Sequence, residues 1–116
     1  MEVEMVRRPI RLQRLSELAQ AVFGDFVKGV VDLGRGVMAV GGELHVDSES
    51  ALLDDGSGQS DLWGVNLYPA RHPEEGWIEF DSVINLRPQD GNLSRSVDDP
   101  SRRARIIELI EQLVEP

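Results

Sequence analysis

The sequence predicts an α+β fold, a central antiparallel sheet of about four to five strands with an N-terminal and a C-terminal helix packed on one face. Three observations predict it. Apolar residues recur at helical spacing chiefly near the two ends, valine-rich or alternating runs fill the middle, and Gly or Pro punctuates the junctions. At 116 residues the chain is sized for one core, so residues 1–116 are expected to form a single domain.

Taken in order, Val3, Met5 and Ile10 can make only a ragged edge strand around Pro9. Leu15, Leu18, Ala19, Val22 and Phe23 then lie on one face of a helix that begins near Leu12 and stops before Gly24. Phe26 to Leu33, the turn Gly34-Arg35-Gly36 and Val37 to Val40 read as a hairpin; if its second strand continues to Asp47, the paired Gly41-Gly42 mark a bulge in it. A short helical turn over Ser48 to Leu53 and a polar loop from Asp54 to Ser60 follow. Asp61 to Tyr68 is the next strand, ended by Pro69, and the alternation of Trp77 to Arg87 predicts the last, with a break at Asp81-Ser82 allowed. After a loop from Gln89 to Val97, Asp99 caps and Pro100 opens a helix whose stripe of Ile106, Ile107, Ile110, Leu113 and Val114 reaches the C-terminus.

Composition narrows the function. The chain has 12 basic and 21 acidic residues, a net charge of −9, which opposes non-specific nucleic-acid binding and attraction to anionic membranes. With no cysteine, disulfides, thiolate metal sites and a cysteine nucleophile are excluded. No apolar run approaches the roughly 20 residues of a membrane span and no signal pattern opens the chain, so a cytoplasmic location is expected. Eleven of the twelve basic residues are arginines, whose planar fork suits carboxylates and phosphates.

The polar residues of the predicted strands supply the candidate site. If Glu43, His45 and Asp47 alternate along one strand, they line one face. There His45 serves as acid or base, Glu43 or Asp47 orients it, and His45 with Asp47 is the candidate metal pair. Asn66, Glu79, Asp81, Asn85 and Arg87 fall on the same polar face, and Arg87 with Asn92, Ser94 and Arg95 forms an arginine loop suited to an anion. Ser94 lacks the Gly-x-Ser-x-Gly setting of a hydrolase elbow, and Gly41-Gly42 does not open a phosphate-binding helix. The sequence assigns no cofactor.

The stretches GGELHVDSE, DLWGVNLYP, WIEFDSVINLRP and GNLSR, in that order, resemble an uncharacterised prokaryotic family catalogued as a domain of unknown function, over about Phe23 to Pro100. The resemblance implies that these polar strings are family features and supplies no activity. We therefore expect a small binding or interaction domain, a homodimer or other homo-oligomer, that recognises a small anionic ligand or a protein partner through the polar face and the arginine loop. The alternative is a small phosphoester hydrolase using His45, Glu43 or Asp47, and Arg87.

Overall fold

A computed structural model describes residues 2–116. Its strands and helices follow as β1 (Glu4–Val6), β2 (Ile10–Arg11), α1 (Leu12–Val22), β3 (Val27–Asp32), β4 (Val37–Val40), α2 (His45–Asp54), β5 (Leu62–Leu67), β6 (Ile78–Glu79), α3 (Pro100–Leu113) and β7 (Val114–Glu115). β1, β4, β3, β5 and β6 form one five-stranded antiparallel sheet in that order, and β2 pairs with β7 in a separate parallel ladder. The α+β class and the antiparallel sheet are as the sequence predicts.

Alternation along the strands sends side chains two ways. Val27, Val31, Met38, Val40, Trp63, Val65 and Leu67 cluster with Leu15, Leu18 and Ala19 of α1 and with Ile106, Ile110 and Leu113 of α3. Val30, Val37, Ala39 and Leu62, of opposite parity, cluster with Leu52 of α2. All six residues of β5 are buried in consequence. The open polar sheet face expected from the sequence is therefore covered in part by a helix.

Two strand readings are corrected here. The second hairpin strand does not run on to Asp47: β4 ends at Val40, and Gly41 takes φ of 105°, a region that side-chain-bearing residues avoid. The glycine amide donates to Lys28 O at 3.1 Å, and a Cβ there would sit 3.1 Å from Glu2 O. The glycine pair thus turns the chain out of the sheet, and the short helical turn expected at Ser48 becomes a helix that begins at His45.

The second correction concerns Trp77 to Arg87, where β6 keeps only Ile78 and Glu79. Beyond it the chain makes 3-10 turns at Val83–Asn85 and Pro88–Asp90 and a bridge between Arg87 and Asn92. The predicted alternation inverts at its end: Asn85 and Arg87 are buried, while Leu86 is exposed. The reason is the edge of β5, whose peptide groups still need partners once β6 has ended. The Asn85 side chain acts as a strand peptide would, with Nδ2 donating to Gly64 O at 3.0 Å and Oδ1 accepting from Gly64 N at 2.8 Å. Arg87 Nη2 donates to Leu62 O at 2.7 Å, two residues back along the same strand.

Replacing Asn85 with Ala strips both Gly64 groups of their partners inside the fold. Urea unfolding is expected to show a loss of about 2–3 kcal/mol, the cost of buried unmade hydrogen bonds. A loss below about 0.5 kcal/mol would mean that the edge is satisfied in another way.

Candidate functional site

The first turn of α2 and the segment after β6 meet above Gly64. His45, the first residue of α2, turns inward, is only 8% exposed, and donates from Nε2 to Val65 O at 2.9 Å. That bond leaves Nδ1 as the lone-pair nitrogen of the neutral ring. Ser82, fully buried, approaches from the other side, so that a Cβ on Gly64 would lie 2.6 Å from Ser82 Oγ and 3.2 Å from His45 Cδ2. Glycine at 64 is what lets both residues seat on the sheet. Lys28, Leu44, His45, Val46, Ser82, Val83, Ile84 and Arg95 line the resulting cleft of about 260 Å³.

Glu43, His45 and Asp47 do not share a strand face, because the chain has already left the sheet. Glu43 is exposed in the turn before α2, and Asp47 is spent on the helix start, where its Oδ2 accepts from Leu44 N at 3.2 Å. With His45 Nε2 on a backbone carbonyl, the metal pairing of His45 and Asp47 lacks convergence. Among the described residues no group of three or more His, Asp or Glu is placed to hold a metal ion.

The arginine loop is also divided. Arg87 is structural: besides Leu62 O it donates to Gln59 O at 2.7 Å, and its guanidinium lies 3.9 Å above the Trp63 ring. Its nearest carboxylate, that of Asp90, is 3.8 Å from Nε, too long for a hydrogen bond. Burial lowers the Arg87 pKa, with Asp90 and Glu49 offsetting part of the effect. Asn92 is fully buried; its Nδ2 donates to Asn85 O, Ser94 O and Ser96 O at 2.7 to 3.1 Å, and its Oδ1 accepts from Asp98 N. Ser94 donates to Asp98. Only Arg95 reaches the cleft, with Nε donating to Asp81 Oδ1 at 2.7 Å.

Asn66 and Glu79 border the cleft without lining it. Asn66 Nδ2 donates to Glu79 Oε1 at 2.8 Å and to Asp81 O at 3.2 Å, and Tyr68 donates to the same Glu79 oxygen. Asn66 Oδ1 is buried with no hydrogen-bond partner among the described residues. The structure thus brings His45 and Arg95 together, keeps Asn66, Glu79 and Asp81 beside them, and withdraws Glu43, Asp47, Asn85, Arg87, Asn92 and Ser94.

A family model described as "Protein of unknown function (DUF5674)" matches residues 4–113. The chain belongs to the DUF5674 family. No curated protein and no solved structure matches it. In this DUF5674 chain the cleft residues that sequence reasoning missed are Lys28, Leu44, Val46, Ser82, Val83 and Ile84. One signal was present: a glycine inside the apolar run of Leu62 to Leu67 marks a close approach by another part of the chain. For Lys28, the only lysine, nothing in its valine-rich surroundings distinguishes it.

Burial holds the His45 pKa below its ordinary 6.5; Lys28 acts in the same direction, and the Val65 carbonyl, Asp81 and Asn66 oppose it. The unfolded chain therefore takes up the proton first as pH falls. Stability is expected to decline as pH drops below about 6.5 and to level off, for this group, below the folded-state value. Denaturant unfolding between about pH 7.5 and 5.5 should show this slope, and His45→Gln should remove it; an unchanged slope in the variant would assign it to other groups.

Proposed function

We propose that this chain, as a single domain over residues 1–116, is a binding module whose cleft between the start of α2 and the segment after β6 receives an anionic group. One observation carries the reading. In a chain of net charge −9, the charged side chains on the wall of this cleft are Lys28 and Arg95, with no carboxylate among the eight lining residues. Four other clefts each hold at least one glutamate: Glu4, Glu74 with Glu75 and Glu111, Glu108, and Glu2 with Glu4 and Glu17. Neutral His45 adds a polar ring to the same wall.

Several features support recognition over catalysis. The phosphoester reading requires His45, a carboxylate at 43 or 47, and Arg87 around one substrate. Asp47 is bonded to the helix start and Arg87 to two carbonyls, Leu62 O on the outer edge of β5 and Gln59 O in the turn before it. An anion-binding cleft needs none of these. Placing α1 and α3 together on one sheet face, with α2 on the other, leaves the start of α2 at the rim where the anion would enter. Among the described residues no helix is long and apolar enough to cross a membrane; a cytoplasmic location and a homodimer remain parts of the proposal.

The test is an NMR titration with acetate and with inorganic phosphate, following amide shifts. Saturable shifts are expected at Lys28, His45, Ser82 and Arg95, and Lys28→Ala or Arg95→Ala should each weaken binding by about tenfold, the usual worth of a charge-assisted hydrogen bond. Shifts that stay linear in concentration, or that survive the double variant, would overturn the reading.

A further inference from the structure

Only half of the residues lining the cleft are polar. Leu44, Val46, Val83 and Ile84 supply the rest, and three of these are strongly exposed: Leu44 at 55%, Val46 at 42% and Val83 at 60%. Of the seven large apolar side chains exposed on the described surface, six lie on α2, at its start or in the segment from 83 to 93. Exposed apolar residues scattered singly need no explanation, but these three share one concavity with the two cations.

We infer that the cleft takes an aliphatic carboxylate, its anionic head between Lys28 and Arg95 and its hydrocarbon body against Leu44, Val46, Val83 and Ile84. This rests on the anion-binding reading above and names the ligand class. Three properties select it. A bare phosphate would leave the apolar half of the wall in water, whereas a hydrocarbon body covers it. The guanidinium fork of Arg95 is engaged at Nε by Asp81 and keeps donors for a planar carboxylate. The volume of about 260 Å³ lies below the roughly 300–1,000 Å³ of drug-sized sites, which fits one short chain or one terminal residue.

Such a carboxylate has two sources, a free short-chain acid or the C-terminal residue of a peptide, and the arms of the experiment separate them. Isothermal titration with acetate, butyrate and hexanoate is expected to show affinity rising by about fourfold per buried methylene, the exponential of about 0.8 kcal/mol over RT. Leu44→Ser and Val83→Ser, at exposed positions, should remove that gain with chain length. N-acetyl-leucine binding more tightly than 4-methylpentanoate would assign the site to a peptide terminus, and the reverse order to a free acid; either supports the inference. Saturable binding of acetate and phosphate with no gain from chain length overturns this inference alone. Absence of binding by every anion, hexanoate included, overturns the anion-binding reading and this one together.

Discussion

The outer edge of β5 is the constraint on which the functional half of the molecule depends. β6 pairs with β5 only at Asn66 and Leu67, so the peptide groups of Gly64 and the carbonyl of Leu62 are left without a strand. Buried peptide groups without partners are costly, and an open edge invites foreign strands. The chain answers with side chains: an amide at Asn85 and a guanidinium at Arg87. Because these groups reach inward from a non-repetitive segment, the segment must hold a set shape, and Asn92 supplies it through bonds to three carbonyls and one amide.

That arrangement explains how so many polar residues coexist with a small cleft. Asn85 and Arg87 hold the 80–98 segment to the sheet and Asn92 fixes its shape, while Ser82, Val83, Ile84 and Arg95, on either side of them in sequence, contribute to the wall. Gly64 sits beneath both, its backbone clamped by Asn85 and its bare Cα admitting Ser82 and His45. Edge satisfaction and site construction are thus one event. The cationic character of the cleft has a related origin, since the nearby carboxylates are engaged elsewhere: Asp47 on a helix start, Glu79 on Asn66 and Tyr68, and Asp81 on the Nε side of Arg95.

Much of the fold was legible because it rests on local signals. The first helix spans Leu12 to Val22 where its apolar spacing placed it, and Asp99 accepts from Ser101 N with Pro100 in the first turn. The hairpin turn is held by Asp32, which accepts from the amides of Gly34 and Arg35. The failures share one cause. A period of two in Trp77 to Arg87 and in Gly42 to Asp47 was read as a strand, but the same spacing arises when polar groups such as Asn85, Arg87 and His45 bond inward to another element. Periodicity reports which residues differ from their neighbours, and it assigns the inside only when the inside is apolar.

From sequence alone came the α+β class, the two terminal helices apart from Val114, which belongs to β7, the hairpin, and the exclusion of thiol chemistry, because composition, spacing and capping act over a few residues. Tertiary structure alone decided that α2 begins at His45, that Arg87 belongs to the scaffold and Arg95 to the cleft, and that Lys28 lines the same cleft as His45 and Val83. A side chain's role among these depends on which backbone groups some distant strand leaves unpaired. For Asn85 and Arg87 those groups lie 21 and 25 residues away along the chain.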